Sequence, residues 1–247
     1  MNTRGLIGKA VNAYRKEGLS YLLKEGSKMC SYLIKNGLIL GYYRICKSNE
    51  FFEFNGNRYR YFYSLYGATW NTERSIEIPI VWTLVDKSYS EKKRVLEVGN
   101  VLSYRFYITH DVVDKYDKID HVINEDILDY NPPYKYDLIV SISTLEHVGY
   151  DEEIKDPTKI IKSIKNLKRL LNSNGKLVVT LPLGQNIEMD KLIAQKILAF
   201  DKMFYMKREK GNKWIQMKEI NPCSAIYNYQ IPTANAIVIG ISNAPLS

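Results

Sequence analysis

A series of short apolar segments separated by longer segments is the feature that most constrains the fold of this chain. Several of these segments end in Gly, Asp, Asn or Ser, which are common at strand ends. Residues 159–171 have the apolar spacing of an amphipathic helix. Buried strands that alternate with helices predict an α/β fold, with a mostly parallel sheet covered by helices on both faces. The predicted strands cover residues 94–99, 107–113, 121–123, 136–141, 176–180 and 236–240.

Polar residues and one glycine follow the first four predicted strands. Ligands of an open parallel sheet bind beyond the carboxyl ends of its strands. Gly99 follows the first strand, and its lack of a Cβ lets a ligand approach the backbone. Asp114 follows the second strand and Asp126 the third, where carboxylates can accept hydrogen bonds from ribose hydroxyls and from an adenine amino group. After the fourth strand come Ser143, Thr144, Glu146 and His147, which face the reacting end of such a ligand.

Four segments in this order resemble the successive motifs of class I S-adenosylmethionine-dependent methyltransferases. The resemblance implies a Rossmann-like sheet of seven strands in which the last strand, here residues 236–240, is antiparallel. It implies S-adenosylmethionine as the cofactor and an enzyme of the EC 2.1.1 type. The segments are VLEVG at 95–99, NEDI at 124–127, YDLIVSISTLEHV at 136–148 and NGKLVVTLP at 174–182.

The same resemblance assigns roles to individual residues. Asp114 would hold the ribose, and Asp126 with Ile127 would hold the adenine. Ser143 would lie beside the reacting end of the cofactor. The methionine end would be lined by Glu97, Gly99 and Asn100.

Two departures from the family pattern keep a second interpretation open. The family usually has a Gly-x-Gly-x-Gly turn after the first strand, whereas residues 99–103 of this chain read GNVLS. Residues 100–107 are also short for the usual first helix. A non-catalytic, degenerate methyltransferase-fold module that binds a partner enzyme or a membrane surface is therefore the alternative to an enzyme.

His147 is the candidate catalytic residue, as a general base that takes a proton from the acceptor hydroxyl during methyl transfer. Tyr150 and Asp151 are candidates for orienting the acceptor. The sequence has no cluster with metal-ligand spacing, so we predict a metal-independent reaction. The segment NPPY at 131–134 matches a signature of N-methyltransferases but precedes the fourth strand, so we interpret it as a turn.

The positive charge is concentrated near the start of the chain. Residues 1–47 hold nine Lys or Arg against two Glu, a net +7 of the total +8. Apolar residues recur there at helical spacing, and Gly18, Gly26 and Gly37 are expected to divide the segment into two or three helices. Such a segment can pack on its own domain, contact an anionic membrane surface, or contact nucleic acid, which the near-neutral remainder of the chain disfavours.

These observations predict two parts of the chain. Residues 1–70 would form a basic helical extension with an aromatic hairpin turning at 55–57, and residues 71–247 the methyltransferase domain. Residues 72–85 are either a helix or an extended segment. The whole chain looks like methyltransferases of surface-glycan assembly, which implies a small-molecule or glycan acceptor, including lipid-linked ones. Three scattered cysteines and no leader pattern predict a cytoplasmic protein, peripheral at the inner face of the membrane if residues 1–47 bind it.

Overall fold

In a computed structural model of the chain, the structure describes residues 3–244. Within the first helix, the side chains before residue 30 are described only at positions 20, 24 and 26–28. The chain forms two compact units, of which the first ends at Ser48 and the second begins at Asn49.

The first unit is a single helix, α1, of 44 residues (Thr3–Cys46). The predicted breaks at Gly18, Gly26 and Gly37 are wrong, because a glycine inside a helix costs roughly 1 kcal/mol relative to alanine but keeps the helical geometry. The predicted apolar pattern from Leu6 to Leu23 lies outside the described side chains. Within the described residues, no helix combines the length and the apolar content that a bilayer crossing requires.

The second unit combines three α-helices with strands of one large sheet and two small hairpins. The helices are α2 (Arg74–Ser90), α3 (Lys159–Arg169) and α4 (Ile187–Ala194). The strands are β1 (Phe51–Phe54), β2 (Asn57–Arg60), β3 (Val95–Val98), β4 (Asp111–Val113), β5 (Val122–Ile123), β6 (Tyr136–Ile142), β7 (Leu171–Pro182), β8 (Lys202–Glu209), β9 (Lys213–Met217), β10 (Tyr227–Asn228), β11 (Thr233–Ala234) and β12 (Ala236–Asn243).

The large sheet has the strand order β5-β4-β3-β6-β7-β12-β8-β9. Strands β3 to β7 are parallel, whereas β12 lies antiparallel between β7 and β8. The predicted Rossmann-like fold with an antiparallel last strand is confirmed. The predicted number of seven strands is exceeded by one, because β9 pairs with β8 at the edge of the sheet.

Helices cover both faces of this sheet, as predicted, and each face has its own hydrophobic core. On one face α3 and α4 contribute Ile160, Ile164 and Ile193. On the other face α2 packs together with Phe52 and Phe54 of the β1–β2 hairpin. The hairpin therefore belongs to the second unit, although the sequence analysis grouped it with the N-terminal extension.

The hairpin turn forms as the sequence predicts. Asn55 and Gly56 both have positive φ angles, of 48° and 73°, as a two-residue type I′ turn requires. The second strand of the hairpin begins at Asn57 and ends at Arg60.

Residues 74–90 form the helix α2, which resolves the two interpretations of this segment in favour of the helix. Pro79 lies inside it and cannot donate a hydrogen bond to the Ser75 carbonyl one turn earlier. The Phe62 N–H donates to that carbonyl instead, at 2.9 Å. The missing helical hydrogen bond is thus replaced from outside the helix.

Two predicted boundaries are wrong. The predicted helix 159–171 ends at Arg169, and β7 begins at Leu171 instead of residue 176, with a register shift against β6. Only Asp111–Val113 of the predicted strand 107–113 is extended in the sheet, and Tyr107 is exposed to solvent.

Candidate active site

A cavity of about 540 Å³ opens at the carboxyl ends of β3, β4, β5 and β6. Parallel strands bring their carboxyl ends to the same edge of the sheet, so residues distant in sequence meet there. Of the eight residues predicted to bind the cofactor or to act in catalysis, Glu97 alone is not part of the lining, and the further candidates Glu146 and Tyr150 are not part of it either. The structure brings together at this cavity the other seven: Gly99, Asn100, Asp114, Asp126, Ile127, Ser143 and His147.

At Gly99 the loop that follows β3 lies very close to the loop that follows β6. Its φ angle is +85°, a region that residues with a Cβ rarely adopt. A Cβ at this position would lie 2.1 Å from the Thr144 Oγ1 atom, far inside van der Waals contact. The position therefore requires glycine on two independent grounds.

Glu97 is fully buried inside β3 and stabilises the loop instead of lining the cavity. Its Oε1 atom accepts hydrogen bonds of 2.8 Å from the backbone N–H groups of Val101 and Leu102. Its Oε2 atom lies 3.0 Å from His110 Nε2. The carboxylate thus holds the turn after β3, where the family pattern has its further glycines. Residues 100–107 form no helix, as expected for so short a segment.

Asp114 lines the cavity directly after β4. Its Oδ1 atom accepts from the N–H groups of Tyr116 and Asp117, at 2.8 and 2.9 Å. Its Oδ2 atom accepts only the weaker 3.3 Å bond from the Asn100 N–H. A carboxylate oxygen can accept two hydrogen bonds, so Oδ2 keeps capacity for a ligand hydroxyl.

Asp126 lies on the same side of the cavity and is paired with two lysines. Its Oδ2 atom is 2.9 Å from Lys115 Nζ and 2.7 Å from Lys159 Nζ, and its Oδ1 atom accepts from the Leu128 N–H at 3.1 Å. Burial raises the pKa of Asp126, but the hydrogen bonds from Lys159 and Lys115 outweigh it and lower the pKa to about 2. The carboxylate is therefore charged, and a new donor would have to share it with the lysines.

Arg74, in the first turn of α2, is a lining residue that the sequence analysis did not predict. Its guanidinium donates to Glu77 at 3.0 Å and to the carbonyls of Ile142 and Ser143, at 3.0 and 3.3 Å. Ser143 in turn donates its hydroxyl to Glu77 at 2.5 Å. This network places a fixed positive charge beside the carboxyl end of β6.

His147 lines the cavity from the short 3-10 helix Leu145–His147 that follows β6. Its Nδ1 atom is 2.5 Å from the Asp151 Oδ2 atom. A carboxylate only accepts hydrogen bonds, so this pairing places the ring proton on Nδ1 and leaves the lone pair on Nε2. Asp151 also lines the cavity, where it orients His147; its predicted role in orienting the acceptor stays a prediction.

Glu146, beside His147, is a fully buried carboxyl group whose two oxygen atoms have no hydrogen-bond partner among the described residues. Burial raises the pKa of Glu146 well above its usual value, only partly opposed by the nearby Arg74. Its Oε1 atom lies 3.6 Å from His147 Nε2. Burial thus favours the uncharged form of Glu146 next to the candidate base.

The segment after β7 lies beside His147 without lining the cavity. Gln185 Nε2 lies 3.4 Å from His147 Nε2, and Tyr229, in the loop between β10 and β11, donates to the Gln185 carbonyl at 3.0 Å. Asp190 of α4 is buried and accepts from the Gly184 N–H at 2.8 Å. Burial raises the pKa of Asp190 to about 7, opposed by that hydrogen bond.

The NPPY segment takes no part in this site. The Asn131 side chain accepts from Arg169 at 3.0 Å, and the Tyr134 hydroxyl donates to Asp111 at 3.2 Å. Neither residue lines the cavity. The segment forms the turn that enters β6, as the sequence predicts.

The strand order and the position of the cavity can be compared with known proteins. No protein-family model and no curated protein matches the chain. Among solved structures, the chain is similar to the N-methyltransferase NodS from Bradyrhizobium japonicum WM9 in complex with S-adenosyl-L-homocysteine. That similarity has 14% identity and a TM-score of 0.44, and covers 71% of this chain and 90% of NodS.

A second similar structure is the sugar N-methyltransferase KedS8 from Streptoalloteichus sp.. It shares 9% identity and a TM-score of 0.36 with this chain, and the similarity covers 68% of this chain and 87% of KedS8. The sheet of this chain, with its parallel β3 to β7 and its antiparallel β12, is the observation that decides the fold. The fold is Rossmann-like, with the antiparallel last strand that the resemblance to class I methyltransferases implies.

Proposed function

We propose that the chain is an S-adenosylmethionine-dependent methyltransferase. The observation that carries the proposal is the convergence of Gly99, Asp114 and Asp126 on one cavity at the carboxyl ends of neighbouring parallel strands. Its volume of about 540 Å³ lies within the range of sites for small organic ligands. A crevice of this size with acids beside its backbone loop suits a nucleoside.

The lining residues fit the parts of S-adenosylmethionine. Gly99 and Asn100 line the cavity, so the loop after β3 can contact the ligand. Asp114 would accept from the ribose hydroxyls through its Oδ2 atom, and Asp126 with Ile127 would contact the adenine. Arg74 donates three hydrogen bonds within the protein. A guanidinium has five N–H groups, so two are left for the carboxylate of the methionine part.

When bound, S-adenosylmethionine supplies a methyl group on a sulfonium, which is a good leaving group. The protein then contributes mainly proximity and orientation, worth up to roughly 7–11 kcal/mol in favourable cases. His147 would accept the proton of an acceptor hydroxyl at Nε2, because Asp151 holds the ring proton on Nδ1. This arrangement supports an oxygen acceptor on a small molecule or a glycan, including a lipid-linked one.

Cofactor binding is tested by titration calorimetry of S-adenosylmethionine with the full chain. We expect saturable binding, and we expect Asp114→Asn to raise the Kd about tenfold or more, because a ribose hydrogen bond to the carboxylate is lost. The matched control is Asp129→Asn, an exposed aspartate outside the cavity lining, which should leave the Kd unchanged.

A failure to bind at millimolar cofactor would contradict the proposal. It would favour the non-catalytic module instead, for which the single glycine of residues 99–103 and the lysine pair on Asp126 are the supporting features. Binding that Asp114→Asn and Asp129→Asn weaken equally would also count against the assigned role of Asp114.

The reaction is tested with methyl-labelled cofactor and a panel of hydroxylated sugars and lipid-linked glycans. Once an acceptor is found, His147→Gln should lower the turnover about 10²- to 10⁴-fold. The Kd for S-adenosylmethionine should stay within about threefold, since His147 acts on the acceptor. Methylation of RNA or protein without any glycan activity would overturn the proposed acceptor class.

A further inference from the structure

Helix α1 carries an exposed apolar stripe along one side. The stripe consists of Ile34, Leu38, Tyr42 and Ile45, whose spacings of four, four and three residues place them on the same side of an α-helix. Each is more than half exposed, from 53% at Tyr42 to 79% at Ile45. At 1.5 Å per residue the stripe is about 17 Å long. Apolar side chains exposed in a continuous row mark a contact surface.

The charges around the stripe are of one sign. Residues 26–48 contain no Asp or Glu, and they carry Lys28, Lys35, Arg44 and Lys47. Lys35 directly follows Ile34 in sequence, and Lys24 lies one helical turn before Lys28; both Lys24 and Lys35 are exposed. Within residues 26–48 the apolar stripe is accompanied only by positive charge, which is complementary to an anionic surface that also accepts apolar side chains.

We propose that this stripe of α1 binds the surface of a membrane rich in anionic lipid. The helix would lie in the plane of the interface, with Leu38 and Ile45 inserted among the acyl chains and the lysines at the headgroups. Tyr42 suits the same depth, because its ring is apolar and its hydroxyl polar. A second protein copy is disfavoured as the occupant, since two such helices would bring like charges together. The proposal does not depend on the reaction catalysed by the second unit.

The test is flotation of the full chain with vesicles of phosphatidylcholine alone and with vesicles that contain 30% phosphatidylglycerol. We expect binding to the anionic vesicles and at least tenfold weaker binding to the neutral ones. Raising the salt from 0.1 M to 0.5 M should also weaken binding, because the Debye length falls below about 5 Å.

Two pairs of variants distinguish the contribution of the stripe from the general effect of losing an apolar side chain or a positive charge. Leu38→Ser should lower the partition coefficient roughly tenfold, whereas Leu33→Ser, exposed on the other side of α1, should change it less than twofold. Lys24→Gln with Lys35→Gln should lower it roughly tenfold. The same charge change at Lys165 and Lys218, exposed in the second unit, should have a smaller effect.

Equal binding to neutral and anionic vesicles, or equal effects of Leu38→Ser and Leu33→Ser, would overturn the proposal. Analytical ultracentrifugation measures whether a second copy of the chain covers the stripe. A dimer of the full chain that Leu38→Ser dissociates would show that a second copy covers the stripe, and the membrane assignment would then be wrong.

Discussion

At the scale of single residues, even the addition of a methyl group at Gly99 should have a large effect. Gly99→Ala adds a Cβ both at a φ of +85° and within 2.1 Å of Thr144 Oγ1. The backbone strain alone costs roughly 1–2 kcal/mol, and relief of the overlap must displace the loop or Thr144. We expect a lower free energy of unfolding in denaturant titration and at least a tenfold higher Kd for S-adenosylmethionine in calorimetry.

The matched control for Gly99 is Gly56→Ala. Gly56 has a similar φ of +73°, but a Cβ there would meet no atom within 4 Å. This variant should lose stability through backbone strain alone and keep its affinity for the cofactor. Equal affinity in both variants would mean that the loop after β3 does not contact the ligand.

The buried carboxyl group of Asp190 makes the free energy of unfolding depend on pH. Its pKa in the folded protein is about 7, above the ordinary value of 3.8, because the carboxyl group is buried. The folded state therefore holds the proton more tightly, and ionisation of Asp190 costs stability as the pH rises from about 4 to 7. Asp190→Asn should raise the free energy of unfolding on the order of 2 kcal/mol at pH 8, and little at pH 4. A gain of equal size at both pH values would exclude this origin.

Residue roles could be predicted only in part. Gly99, Asp114 and Asp126 were found because strand ends are recognisable in sequence and share one edge of the sheet. Glu97 was expected at the ligand, but a carboxylate inside a strand could equally bind its own loop, as it does here. Arg74 was missed because it precedes the first strand of the large sheet and reaches the site only through the packing of α2.

At the scale of elements, the hydrogen bond from Phe62 to Ser75 makes Pro79 tolerable inside α2. A proline in a helix interior usually costs about 3 kcal/mol, partly through the unpaired carbonyl. Here that carbonyl is already paired, so Pro79→Ala should change the free energy of unfolding by less than about 1 kcal/mol. Chemical denaturation measures this directly, and a gain near 3 kcal/mol would show that the external hydrogen bond contributes nothing.

Elements were predictable where their burial is uniform. All residues of β3 are buried, and its largely apolar sequence made the strand and its end predictable. Strands β8 and β9 were missed because the apolar run of β8 covers only residues 203–206, between two lysines, and β9 has a single buried residue, Trp214. The continuity of α1 was missed since glycine weakens a helix without necessarily ending it.

At the scale of the whole molecule, the second unit contains both hydrophobic cores, and neither includes any of the described side chains before Phe52. A chain of residues 49–247 should therefore unfold in a single cooperative transition, with a midpoint within a few degrees of that of the full chain. Differential scanning calorimetry of both chains makes the comparison. Loss of the cooperative transition in the shorter chain would show that residues 1–48 are needed for its stability.

The position of β12 has a consequence for synthesis on the ribosome. Residues 236–243 form an interior strand that joins β7 to β8, so one edge of β7 and one edge of β8 stay unpaired until these residues have left the exit tunnel. Once β8 has been synthesised, the nascent protein would expose two open strand edges until β12 follows, a period in which chaperones are most needed.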